Sequence, residues 1–146
     1  MYLLDTNHCS YILQGRPGII ARLGQLDRAL LSTSVIVRGE LIFMAEKSDQ
    51  HAGNLVRVND FMQGFVVFPI SGDTADIYGK LKTAVLKHFG PSERTKLRNT
   101  TITKLGFDEN DIWIAATAIQ HDLVVVSADS DFIRMGEALS FSLESW

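Results

Sequence analysis

Met1-Tyr2-Leu3-Leu4-Asp5-Thr6-Asn7 opens the chain, and its reading decides the fold. A short apolar run stops abruptly at Asp, Thr and Asn. Residues 2–5 are too few for an amphipathic helix and too apolar for a loop, so they read as a buried strand. That strand delivers one carboxylate, Asp5, to the rim of a sheet. A charge directly after Leu3-Leu4 must be solvated, paired or metal-bound. The plainer alternative is a turn or cap, because Asp before Thr-Asn is also helix-starting chemistry.

Working outward, residues 7–13 suit a short helix with Thr6 or Asn7 as its N-cap. Pro17 can open the next helix in its first turn, and Ile19, Ile20, Leu23, Leu26 and Leu30 give a helical period through about residue 28. A second short apolar run, residues 29–33, ends in hydroxyls, and Ser34 caps the helix after it. Residues 35–47 are helical by pattern, with Ile36, Glu40, Phe43, Met44 and Lys47 on one side. A further helix covers about 51–63 with Leu55, Val58, Phe61 and Met62 inward. Residues 65–70 form a third strand closed by Pro69. A helix begins at Ser71-Gly72-Asp73 and ends at Gly90-Pro91. Residues 91–107 read as a short helix plus a loop. Asp108 then caps a helix through Ile119, residues 123–126 make a fourth strand, and a short strand near residues 140–143 closes the chain.

Strands of continuous rather than alternating hydrophobicity, separated by helices, imply a parallel sheet covered on both faces. The length of 146 residues suits one domain. In such sheets, ligands sit beyond the carboxyl ends of the strands. Asp5 and Asp129 each lie at or just past a strand end, which is what makes them candidates.

Composition narrows the function. No apolar run approaches the ~20 residues that span a membrane, and Asp5 with no basic stretch before it is unlike a secretory leader. The expected location is the cytoplasm. Cys9 is the only cysteine, so neither a disulfide framework nor a Cys-rich zinc site is expected, and Cys9 reads as a small core residue. The net charge is −3, but residues 80–104 hold seven Lys or Arg against Glu93 alone, a local +6 that leaves −9 elsewhere. Such a block is either a solvated helix face or a footprint for phosphates.

Four carboxylates stand out. Asp5 ends the first strand. Glu40 sits among Val35-Ile36-Val37 and Leu41-Ile42-Phe43-Met44, where an acid needs a partner, and Arg38, two positions away, points elsewhere. Asp111 would be the third residue of the helix capped by Asp108, a place where capping alone could explain it. Asp129 comes just after the fourth strand within Ser127-Ala128-Asp129-Ser130-Asp131-Phe132, with Ser127 and Asp131 as supporting residues and the opposite assignment of Asp129 and Asp131 left open. Several carboxylates without a Cys or His cluster select a hard cation, Mg²⁺ or Mn²⁺. Clustering them without one would be costly by repulsion. His8, His51, His88 and His121 show no ligand spacing; only His8 is near enough in sequence to line the site. Trp113 reads as packing.

Leu4-Asp5-Thr6-Asn7, Gly39-Glu40-Leu41, Asn110-Asp111-Ile112-Trp113-Ile114-Ala115-Ala116 and Ser127-Ala128-Asp129-Ser130-Asp131-Phe132 together resemble a PIN domain, and specifically the VapC-type toxins of bacterial toxin–antitoxin pairs. The resemblance spans nearly the whole chain. It implies a three-layer α/β/α sandwich with a five-stranded parallel sheet and a Mg²⁺- or Mn²⁺-dependent endoribonuclease, with transfer RNA among its targets. Carried over, the catalytic and metal-binding acids are Asp5, Glu40, Asp111 and Asp129, with Thr6 or Asn7 supporting Asp5. A VapB-like antitoxin that occludes the site and a homodimer are also implied.

The basic, Thr-rich stretch between about Gly90 and Phe107 looks longer than in compact relatives. It is expected to form a flap whose Arg94, Lys96, Arg98 and Lys104, with Lys87 nearby, grip RNA phosphates. Two other readings compete. A phosphatase with an aspartyl nucleophile would want a second acid two residues after Asp5, where Asn7 stands instead. A PIN-like module that binds RNA or protein without cutting would not need all four acids.

Overall fold

The computed structural model describes residues 1–26 and 31–146. Five parallel strands form one sheet in the order β3-β2-β1-β4-β5, with the opening stretch as its central strand. They are β1 (Tyr2–Leu4), β2 (Leu31–Ser34), β3 (Val66–Phe68), β4 (Val124–Val126) and β5 (Leu143–Glu144). β1 pairs with β2 on one side and β4 on the other, placing Leu3 opposite Ser32 and Val125. Successive strand residues point to opposite faces. Leu3 and Leu4 are both fully buried, as are Val125 and Val126, so helices cover both faces and the architecture is the expected three-layer sandwich.

The helices are α1 (Thr6–Leu13), α2 (Pro17–Leu23), α3 (Val35–Glu46), α4 (His51–Met62), α5 (Gly72–Phe89), α6 (Arg94–Arg98), α7 (Glu109–Gln120) and α8 (Ser130–Ala138). The caps explain most of the starts. Ser34 accepts from the Val37 N–H, Asp108 from the Asn110 N–H, and Ser71 with Thr74 makes a reciprocal capping box. Inside the sheet, the buried hydroxyls of Ser32 and Thr33 donate to the carbonyls of Tyr2 and Leu4, at 2.8 and 3.0 Å. Those bonds let polar residues sit in a core strand without an unsatisfied group.

Several expectations are corrected. The cap of α1 is Asp5 itself, not Thr6 or Asn7. α2 stops at Leu23, and part of the second predicted strand, residues 29–30, falls outside the described residues. The buried stripe of α3 is Val37, Leu41 and Ala45, while Phe43 and Met44 are 62% and 49% exposed. The helix is apolar on more than one side, so its pattern could not choose the face that packs. Residues 130–138, which carry no predicted element, form α8, which buries Phe132 and Met135.

Residues 91–107 hold the short α6 and a 3₁₀ turn at Thr103–Leu105. Ile102 and Phe107 are buried and anchor this stretch to the core. Gly106 closes the turn at φ 79°, a conformation that favours glycine.

Candidate active site

The carboxyl ends of β1 and β4 are neighbours, and the chain leaves each of them through a helix N-terminus. Asp5 caps α1, Asp129 caps α8, and α7 presents Asp111 in its first turn. Helix N-termini favour negative charge, so three acids are placed where backbone dipoles partly compensate them.

Asp5 is 3% exposed. Its Oδ1 accepts from the His8 N–H at 2.7 Å and from His8 Nδ1 at 2.9 Å, and its Oδ2 accepts from Ser127 Oγ at 2.5 Å. Ser127 Oγ in turn accepts from the Asp129 N–H at 3.0 Å. One hydroxyl therefore joins the acid at the end of β1 to the acid after β4. Asp129 also accepts from the Asp131 N–H at 2.9 Å. Asp129 is thus the acid that follows β4 and caps α8, and Asp131 lies in the first turn of that helix.

Glu40 reaches the same edge from α3. Thr6 Oγ1 donates to its Oε2, and Asn110 Nδ2 donates to its Oε1 at 2.7 Å. Glu40 thus ties α1, α3 and α7 together. Arg38 turns away to Asn59, as its spacing from Glu40 requires. Thr6 serves Glu40 rather than Asp5, and Asn7 is exposed. The two residues expected to support Asp5 therefore do not share that task; Ser127 and His8 carry it.

Asp111 is half-buried. Burial first, and then the carboxylates of Asp108, Asp129, Glu40 and Asp131, push its carboxyl up to about 7. Every neighbouring charge acting on it is negative, which marks a place short of positive charge. The donor set is made of hard oxygens with no cysteine, and that chemistry fits a small divalent cation. Among the described residues, however, no three His, Cys, Asp or Glu side chains stand gathered at ligand distance. Asp5, Glu40 and Asp129 each accept from neutral donors instead.

The sequence singles out Ser127 as a supporting residue and His8 as near the site, but assigns Glu40 no partner. Asn110 is visible there only as the neighbour of Asp111. His8 is fully buried against Tyr11 and Trp146, and its Nε2 has no partner among the described residues. Lys82, counted in the basic block, bonds Glu109 at 2.6 Å and Tyr78 at 2.9 Å, and Tyr78 stacks on Trp113 at 3.8 Å. Trp113 is thus packing, as expected, and Lys82 is engaged beside the first turn of α7. Lys87, Arg94, Lys96, Arg98 and Lys104 are all exposed. Cys9 is buried, and burial pushes its thiol well above the usual range, so it is no nucleophile.

A parallel sheet whose carboxyl edge carries acids from four segments defines an α/β protein with an anionic site. A family model described as "PIN domain" matches residues 2–138, and the chain belongs to that family. Ribonuclease VapC2 of Haemophilus influenzae is 28% identical over 146 residues, covering 99% of this chain and 97% of that protein. The tRNA(fMet)-specific endonuclease VapC of Shigella flexneri is 24% identical over 90 residues, covering 62% of this chain and 68% of its own. Among solved structures, VapBC-1 from nontypeable Haemophilus influenzae superposes with a TM-score of 0.75 at 26% identity, covering 99% of this chain and 97% of that one. VapBC2 from Rickettsia felis, bound to a DNA fragment from its promoter, gives 0.78 at 24% identity with 99% and 98% covered, a likeness of fold. No helix among the described residues is long and apolar enough to cross a membrane.

Proposed function

We infer that this PIN domain is a metal-dependent endoribonuclease, the toxin of a VapBC-type pair. The observation that carries the reading is the hydrogen-bond chain Asp5–Ser127–Asp129 at the ends of β1 and β4, with Asp111 in the field of Asp129 and Glu40. Family membership and the full-length likeness to a ribonuclease VapC support the same reaction.

Asp5, Glu40, Asp111 and Asp129 are the residues that would hold Mg²⁺ or Mn²⁺. Such an ion supplies Lewis acidity toward a phosphoryl oxygen and lowers the pKa of a water. Ser127 and His8 fix the rotation of the Asp5 carboxylate, and Thr6 with Asn110 fixes that of Glu40. Held this way, the oxygens lose little freedom when a cation or phosphate arrives, which is how outer partners tune a metal site. Lys87, Arg94, Lys96, Arg98 and Lys104 bind backbone phosphates of the substrate, with transfer RNA the leading target class. A VapB-like antitoxin, a homodimer and a cytoplasmic location complete the proposal.

The test is purified protein incubated with RNA, with and without EDTA, beside Asp5→Asn. Cleavage by the wild type that EDTA and Asp5→Asn both abolish is the expected result. Equal cleavage by wild type and variant would assign the activity to a contaminant.

The competing reading is a PIN module that binds RNA or protein without cutting. Calorimetry separates the two: no heat of Mn²⁺ binding to the wild type would favour the second.

A further inference from the structure

Arg134 stands outside the acid set and outside the exposed basic residues, yet it touches both regions. It projects from α8, whose N-cap is Asp129. Its Nη2 donates to the Leu105 carbonyl at 2.9 Å and its Nη1 to Asp131 Oδ1 at 3.2 Å. Its guanidinium lies 3.9 Å over the ring of Phe107 and 5.0 Å from that of Phe89. Phe107 is buried and immediately precedes Asp108, the cap of α7.

A planar fork stacked on one ring and bonded at both sides has few alternative placements. Lysine offers no equivalent, because its single ammonium lacks the fork and the flat face. The Leu105 carbonyl ends a 3₁₀ turn, and Arg134 gives it a donor. The same side chain fixes Asp131 to its own helix three residues on. One residue therefore holds the end of the basic segment, and the start of α7 with it, on the first turns of α8.

We propose that Arg134 is a positioning residue that sets the separation of Asp111 from Asp129, and that Asp131 acts through Arg134 rather than as a metal ligand. The inference rests on the reading of the acids as a metal site. It also couples the basic segment to that site, since both hang from the same clamp.

The sign of the effect makes the idea testable. Arg134 is a cation near an anionic site, so by charge alone its removal would tighten cation binding. Loss of positioning does the opposite, on the scale of about ten- to a hundredfold for partners behind metal ligands. The probe is Mn²⁺ alone, titrated by calorimetry into the purified full chain at a temperature where circular dichroism shows each variant folded. Arg134→Met and Arg134→Lys are both expected to weaken Mn²⁺ binding about tenfold or more. Asp131→Asn added to Arg134→Met should weaken it no further, because coupled residues are not additive. Should Arg134→Met fail to fold, Arg134→Lys, which keeps the charge, decides alone. Unchanged or tighter binding in the folded Arg134 variants would overturn the positioning role. An additive further loss from Asp131→Asn would make Asp131 a ligand. Absence of Mn²⁺ binding in the wild type would instead remove the metal-site reading, and this inference with it.

Discussion

The acid edge and the basic segment are built in opposite ways. The acids come from four distant parts of the chain, and three of them cap helices or lie in a first turn. Their partners are fixed across long separations: Ser127 reaches Asp5, and Asn110 reaches Glu40. The basic segment is local. Arg94, Lys96, Arg98 and Lys104 lie within one short stretch, exposed, and held mainly by Ile102 and Phe107 beneath them. Most of its polar contacts are short-range, such as Lys96 with Glu93 at 2.8 Å and Lys104 with the Asn99 carbonyl at 3.2 Å, with the bond from Arg134 to the Leu105 carbonyl a long-range exception. The acid edge is therefore a property of the whole fold, whereas the exposed basic side chains can change without disturbing the core beneath them. Chemistry is expected to depend sharply on the first, and affinity to depend by degrees on the second.

Substitutions on the two sides should expose that contrast. The largest effect belongs to Asp5→Asn, expected to lower RNA cleavage by about a thousandfold or more, since the group that would bind the cation is lost. Retention of the far-ultraviolet circular dichroism spectrum would show that the fold survives. A variant that cleaves within about tenfold of wild type would break the comparison.

Next is Asp111. A carboxyl in an unfolded chain titrates near 4, whereas in the fold Asp111 keeps its proton up to about 7. Folding therefore takes up a proton between those values. Stability of the metal-free protein falls as pH rises from about 4 to about 7, and the penalty is fully present above 7. In EDTA at about pH 8, Asp111→Asn should be more stable than wild type by roughly 1–2 kcal/mol, after discounting for partial exposure. The gap should shrink toward about pH 4 in urea unfolding, and excess Mg²⁺ should reverse it by binding only the wild-type fold. A constant gap across pH would contradict the electrostatic cause.

The smallest effect is expected from Lys96→Ala with Arg98→Ala. The pair should weaken RNA binding by about tenfold at moderate salt and reduce the salt slope by about 1.4, the value for two lost contacts to a single strand. Cleavage at saturating RNA should stay near wild type. An unchanged slope in filter binding would detach the basic arm from RNA.

Much of the fold is legible in the sequence because local signals agree with the tertiary outcome. The central strand, the Ser34 and Asp108 caps and the long α5 each announce themselves by pattern. The candidate acids are legible too: Asp5 and Asp129 from their places after strands, Asp111 from a first turn, and Glu40 from its apolar surroundings in α3. Other features are hidden for physical reasons. In α3, Ile36, Phe43 and Met44 are as apolar as Val37, Leu41 and Ala45, so only packing against the sheet selects the buried face. α8 is hidden because its acidic start reads equally as a turn, and its apolar content is confined to a few positions, of which Phe132 and Met135 are buried. Thr6 pairs with Glu40 rather than with the adjacent Asp5, across 34 residues, and no local pattern encodes that bond. Arg134 gives no signal at all: its role exists only where α8 meets Phe107.

Whether the scattered acids share one cation is the question on which all of this turns. The most direct measurement is the anomalous scattering of Mn²⁺ in crystals of the protein soaked with that ion. A single site bounded by Asp5, Glu40, Asp111 and Asp129, and lost in Asp129→Asn, is the predicted result. A Mn²⁺ peak held by other residues, or none at the ends of β1 and β4, would contradict it.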